Sequence, residues 1–553
     1  MKKKIFCFIL LTFLRTFAQE VLPEKNFITI ETAHFYIIFD KNQAEVGQLV
    51  ANKLEDAYRA LNPYFSQKPL KTTVIINDKT DIANGYATRI PYPYIMIYPV
   101  LPTSSEGLAD YDDWAFELLA HEYTHILTFE GAKGFVKYLR PIFGSVITPN
   151  ALMPRWWKEG VAVQMETQLS NGGRLRSPYQ DAMLRSFVLV DKLKSFEIYE
   201  INEFLPSWPE GQRPYLFGSL IWSEMVHEEG SQVIKKLHDR QAGRVPFFIN
   251  SPAEDLLGAD YERFFEDTLY VTEELILKQI DIIKQVPETT NVPLGIKARY
   301  TLSPSVSPKG NHLALIAVSS DGERNVQILE KNQDGNFIVK DNTQVENEGV
   351  VDDIYNYQEN QDSPDAPPGG SIQKVSWFPN GETLLYDKVD SVNSVETFSD
   401  LYTYDLRNKE TKQLTYGLRA REGSVSQDGK EVVFVKLGAF STELCTYLMQ
   451  TNSVHCLWKA PVQERISSPI FLTEDSILFS LRNGSTEEKL WVFNRSNNTL
   501  KPLLSKYPFI RFSQIQDNQL YFTSTLNGIR NIYSCPISQI EAQKCNPITH
   551  TYT

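Results

Sequence analysis

The second half of the chain repeats itself, and an internal repeat constrains a fold more than any single residue can. Three segments share one pattern: Ser305-Val306-Ser307-Pro308-Lys309-Gly310 ahead of Leu313-Ala314-Leu315, Val375-Ser376-Trp377-Phe378-Pro379-Asn380-Gly381 ahead of Leu384-Leu385-Tyr386, and Ser424-Val425-Ser426-Gln427-Asp428-Gly429 ahead of Val432-Val433-Phe434. Weaker copies follow at 468–479 and 512–522. The turn positions Gly310, Gly381, Gly429, Asp475 and Asn518 are spaced 71, 48, 46 and 43 residues apart, the long first interval holding an insertion. Partner strands such as Asp400-Leu401-Tyr402-Thr403-Tyr404-Asp405-Leu406 followed by Gln413-Leu414-Thr415 complete each unit. A unit of this length with several strands buries its faces only by stacking on its neighbours, so the period predicts an all-β propeller. Five blades are visible, and a sixth would have to come from the preceding linker or from Ile548 to Thr553.

With its S-P-D-G-like turns and Y-D-L…L-T strands, this half resembles the TolB-like propeller family over about 255 residues, most clearly in three repeats. The insertion from Asp341 to Gly370 carries eight acids and no Lys or Arg. It reads as a hydrated loop rather than a cation or partner site.

The first half mixes helix and strand patterns, and the character changes at Val286-Pro287-Glu288-Thr289-Thr290-Asn291-Val292-Pro293, a linker after the helical stretch 264–285. The expected division is a signal peptide at 1–18, one domain at 19–285 and the propeller at 286–553. Lys2, Lys3 and Lys4 precede an apolar run from Ile5 to Leu14, and Ala18 supplies a small residue for cleavage, the form of a secretory leader. That run is well short of the ~20 residues of a membrane span, and no later stretch replaces it. Export, to a periplasm or beyond a bacterial cell, is therefore expected. Cys7 leaves with the leader, and the other four cysteines suit an oxidising compartment. Closeness favours Cys445 with Cys456 and Cys535 with Cys545, each pair stapling a strand-turn-strand segment. Net charge is −13, and −17 once Lys2, Lys3, Lys4 and Arg15 are removed, which argues against nucleic acid or an anionic membrane surface as partner.

Chemistry concentrates at His121-Glu122-Tyr123-Thr124-His125. Asp110, Asp112 and Asp113 offer helix caps, and 114–129 contains neither Pro nor Gly, so the pentad is expected on a helix. Spacing i, i+4 then puts both imidazoles on one face, where they can share a metal ion, with Glu122 beside the ion as a base for its bound water. A third ligand is available in Pro154-Arg155-Trp156-Trp157-Lys158-Glu159-Gly160-Val161-Ala162. There a Pro near the first turn and a Trp pair anchor a second helix bearing Glu159, and small neighbours let it pack against the His helix. Glu166, seven residues on, lies near the same face and is either an orienting partner of a ligating His or a plain surface carboxylate.

H-E-x-x-H followed by W-x-x-E-G-x-A resembles the gluzincin metallopeptidases, specifically the peptidase-MA-like domain of exported bacterial proteins, over about 250 residues. The order of elements ahead of the motif agrees: a strand at 29–39, a helix at 43–61, and strands at 71–76 and 94–98. The resemblance implies an α+β zincin-like domain holding one Zn2+ through His121, His125 and Glu159, with Glu122 as general base. Tyr215-Leu216-Phe217-Gly218 resembles the Y-x-x-G segment with which many gluzincins place a tyrosine near the scissile carbonyl, although a tyrosine at a helix start also serves as packing. Aminopeptidase relatives bind the substrate amine through an acid on a G-x-M-E-N-like strand. The corresponding segment here, Pro91-Tyr92-Pro93-Tyr94-Ile95-Met96-Ile97-Tyr98, has none, yet it can pair with an extended peptide. The expected function is an exported zinc endopeptidase whose propeller binds the protein substrate or a partner. The alternatives are a propeller scaffold with a vestigial metal domain, and a zinc hydrolase of some other bond.

Overall fold

The computed structural model describes residues 27–553 apart from 67, 91, 106, 144–146, 203–207, 245–247, 320–323, 339–343, 346–371, 393–395 and 484–487. The expected leader at 1–18 and nearly all of the acidic insertion lie outside the described residues.

The first domain is built on a five-stranded sheet of β1 (Phe27–Glu31), β2 (Phe35–Asp40), β3 (Thr72–Ile76), β4 (Asn84–Thr88) and β5 (Tyr94–Tyr98), in the order β1-β2-β3-β5-β4. The three inner strands run parallel and the two edge strands antiparallel to them. Alternation puts Phe35, Ile37, Phe39, Val74, Ile76, Ile95 and Ile97 inside. Helix α1 (Ala44–Leu61) lays its stripe of Val50, Ala51, Leu54, Ala57 and Leu61 into that core. Helices α2 (Trp114–Phe129), α3 (Val136–Phe143), α4 (Arg155–Leu169), α5 (Pro178–Leu189), α6 (Arg213–Glu229), α7 (Gln232–Gln241), α8 (Ser251–Leu257) and α9 (Tyr261–Ile283) follow.

Two features differ from expectation. The single strand expected at 29–39 is a hairpin: Thr32 turns the chain by donating its N–H to the Phe35 carbonyl at 3.0 Å. Strand β4 was not foreseen, and it occupies the sheet edge beyond β5. The segment at 94–98 is therefore hydrogen-bonded on both sides, which overturns the expectation that it pairs with an extended peptide, and the outer strand there is β4.

The described residues of 300–547 form five antiparallel blades; blades 2 to 5 follow chain order, and in blade 1 the short pieces Phe337–Ile338 and Gln344–Val345 both pair with Arg324–Lys331. Blade 4, for example, comprises Arg465–Thr473, Ser476–Arg482, Glu488–Asn494 and Thr499–Leu503. Gly310, Gly381 and Gly429 sit at φ of 69°, 70° and 74°, the left-handed conformation that the repeated turn requires and glycine adopts without strain. Among the described residues there is no sixth blade. The first strand of blade 5 meets that of blade 1 directly, Gln514 Nε2 donating to the Pro304 carbonyl at 2.6 Å. The terminal residues clasp the interdomain linker instead, with Thr289 N–H donating to the His550 carbonyl at 2.9 Å. Disulfides join Cys445 to Cys456 and Cys535 to Cys545. None of the described helices is long and apolar enough to cross a membrane.

The two domains are interlocked. The chain between β5 and α2 rests on the propeller: Phe440 N–H donates to the Pro99 carbonyl at 2.6 Å, Arg465 to the Pro102 carbonyl at 2.7 Å, and Arg511 to the Asp110 carboxylate at 2.7 Å. A second seam joins Arg419 to Asp78 at 2.6 Å and to Asp81 at 2.7 Å.

Candidate metal centre

Helix α2 begins where Asp113 caps it, the side chain accepting from Phe116 N–H at 3.0 Å. About two turns further in, His121 and His125 share a face, their Nε2 atoms 3.2 Å apart. Helix α4 brings Glu159 against them, with Oε2 3.6 Å from His121 Nε2 and 3.2 Å from His125 Nε2. All three side chains are buried, and their ligand atoms lie within 4.8 Å of one another. Glu122 is also buried, on the side of α2 that faces β4. A Cβ on Gly85 of β4 would stand 3.4 Å from Glu122 Cγ, so the outer strand of the sheet runs directly past this side chain.

Helix α4 is held by its tryptophans. Trp157 is fully buried against Trp222 and His238 and donates through Nε1 to the Tyr261 hydroxyl at 3.1 Å. The small residue beside Glu159 serves a different neighbour from the one expected. A Cβ on Gly160 would come within 2.3 Å of the Gly218 backbone, so this glycine permits a close crossing of α4 with α6, not with α2. That crossing is what carries Tyr215 to the site. Its ring packs along His121 at 6.3 Å, and its hydroxyl accepts from Arg155 at 3.3 Å.

Glu166 lies behind His121, its Oε2 3.0 Å from Nδ1. Arg174, which the sequence reading did not single out, grips Glu166 through Nε at 2.8 Å and Nη2 at 2.9 Å, and its Nη2 also lies 2.8 Å from His121 Nδ1. Nothing marks Arg174 in the sequence, because it sits on a turn after α4 and reaches the site only through the fold. Burial alone would push the Glu166 carboxyl up, but the Arg174 guanidinium and the hydrogen bonds hold it at about 2. An ionised Glu166 accepts a hydrogen bond from Nδ1–H of His121 and so leaves the Nε2 lone pair facing Glu159 and His125.

Three electron-rich atoms then converge in a buried space, and Glu159 Oε2 has no hydrogen-bond donor there. Such a cluster demands positive charge. Burial and Arg174 both oppose a charged His121, yet the carboxylates of Glu159 and Glu166 beside it raise it to about 9. Two imidazole nitrogens and one carboxylate oxygen are equally the donor set of a catalytic zinc ion, so these residues fit the metal that the motif implies.

No family model matches the chain. It is 25% identical over 205 residues to an uncharacterized protein of Treponema pallidum (strain Nichols), a match covering 36% of this chain and only 17% of that protein. Among solved structures it is similar to a putative TolB from Agrobacterium tumefaciens (12% identity, TM-score 0.33, 45% of this chain and 80% of that one). It is also similar to TolB from Acinetobacter baumannii (15%, 0.28, 42% and 53%). A third is oligopeptidase B from Leishmania major (10%, 0.28, 46% and 34%). The five-bladed architecture rests on the strand pairing of the chain itself.

Proposed function

We propose that this chain is an exported zinc-dependent metallopeptidase that cleaves interior peptide bonds. The observation that carries the reading is the convergence of His121 Nε2, His125 Nε2 and Glu159 Oε2 beside a buried Glu122 that lies against the outer strand β4. His121, His125 and Glu159 would hold the ion, which when bound supplies Lewis-acid polarisation of a carbonyl and an acidified water.

The protein's own groups do the rest. The edge of β4 pairs with the backbone of an extended substrate and lays it past Glu122. Glu122 removes a proton from the attacking water and returns it to the departing amine. Tyr215 donates its hydroxyl to the oxygen that gains charge, its own lone pair tied to Arg155. Glu166, fixed by Arg174, keeps His121 in the tautomer a metal requires. Two disulfides suit an exported protein. The propeller fastens the segment leading into α2 and leaves its other surfaces to protein substrates or partners.

Cleavage of an unfolded-protein or peptide library by the zinc-reconstituted full chain tests the reading. Free N-terminal and blocked peptides should be cut alike, and failure to cut either in the presence of stoichiometric zinc would favour a non-catalytic scaffold.

A further inference from the structure

The seam where the chain ahead of α2 meets blades 4 and 5 contains more buried positive charge than its acids can match. Glu488 receives Arg465 at 2.8 Å, Arg511 at 2.5 Å and the Ser467 hydroxyl at 2.8 Å, so both of its oxygens are engaged. Asp110 is shared between Arg511 and the Ser177 hydroxyl at 2.6 Å. Arg482 stands in the same seam, 0% exposed, and none of its three guanidinium nitrogens has a hydrogen-bond partner. The ring of Tyr111 lies 4.7 Å from it, and the Tyr111 hydroxyl is likewise buried and unsatisfied. Ser480, two residues before Arg482 on the same strand and therefore on the same face, has a buried hydroxyl without a partner.

An arginine does not escape burial by losing its proton, so a fully buried guanidinium with all its donors unmatched needs a counter-charge. Here the donors include an O–H from each domain, Tyr111 from the loop before α2 and Ser480 from blade 4. We propose that a small monovalent anion, of which chloride is the type, binds beside Arg482 and seals the interface between the two domains. A halide accepts N–H and O–H donors without fixed direction and gives up its water more readily than sulfate or phosphate. This suits donors that are wholly enclosed.

The test uses the full chain, equilibrated in sodium gluconate and then titrated with sodium chloride, bromide or sulfate at constant ionic strength. The midpoint of thermal unfolding should rise by several degrees with chloride and bromide, saturate, and stay unchanged with sulfate. Arg482→Met, which keeps the length of the side chain and removes the charge, should lose the halide response. Crystals grown in bromide should show its anomalous signal within hydrogen-bond distance of the Arg482 guanidinium, a readout that stands even where the variant fails to fold. Equal midpoints in every anion would overturn the proposal. So would a halide response that survives in Arg482→Met, or bromide found only elsewhere as an adventitious ion only.

Discussion

Gln463, which belongs to the propeller, accepts a hydrogen bond at 2.8 Å from the backbone N–H of Ala115, in the first turn of the helix that carries His121, Glu122 and His125. One domain thus helps to cap the other's chemistry-bearing helix. Gln463 holds this pose at a φ of 71°, a left-handed conformation that opposes any side chain. Gln463→Ala should lose the cap and keep the strain, destabilising the protein by ~1 kcal/mol. Gln463→Gly should be milder, since it loses the cap but relieves the backbone. Amide exchange at Ala115, faster in both variants, reads the lost bond directly.

The crossing of α4 and α6 admits no side chain at Gly160. Gly160→Ala places a Cβ 2.3 Å from the Gly218 backbone, which cannot rotate away. The helices must separate, with an overpacking penalty of about 1–3 kcal/mol. Because α4 carries Glu159 and α6 carries Tyr215, peptidase turnover should fall along with the melting temperature. An alanine variant that melts and turns over like the wild type would show that the crossing is looser than described.

Glu166 and Arg174 form a buried pair behind His121. Glu166→Gln should weaken zinc binding by about 10–100-fold, read by chelator competition, because the amide no longer enforces the His121 tautomer. It also leaves Arg174 without its carboxylate and should reduce stability. Adding Arg174→Met should recover stability without recovering zinc affinity. That split separates positioning of the ligand from folding.

Glu117, one turn before His121 on α2, is pushed up to about 8 by burial. Between its ordinary value near 4.5 and about 8 the folded state keeps a proton that the unfolded chain releases. Stability contributed by this group is therefore lost as pH rises through that window. Glu117→Gln, which can still accept from Asp112 N–H, should flatten the fall and be more stable than wild type at pH near 8. Denaturant melts at several pH values measure it.

What could be read from the residues follows their physics. The pentad and Glu159 were legible because one helical turn and a Trp-anchored helix are local patterns, and the blade turns because glycine marks positive φ. Strand β4 was not, since Asn84-Gly85-Tyr86-Ala87-Thr88 shows no apolar alternation at an edge strand. The hairpin at Thr32 lacks the Gly, Asn or Pro that ordinarily announces a turn. The seam was hidden for a different reason: nothing local marks Arg465, Arg482 and Arg511 as buried, and the loop that docks on them comes from the other domain. Arg174 was hidden because it meets Glu166 and His121 only once its own domain has folded.

Comparison of wild type with Glu122→Gln, by zinc stoichiometry and by cleavage of a peptide library in the same preparation, bears most directly on the central claim. The expected result is one zinc per chain in both proteins, held by His121, His125 and Glu159, with cleavage by the wild type and a loss of several orders of magnitude in the variant. Zinc absent from the wild type, or equal cleavage by the two proteins, would contradict it.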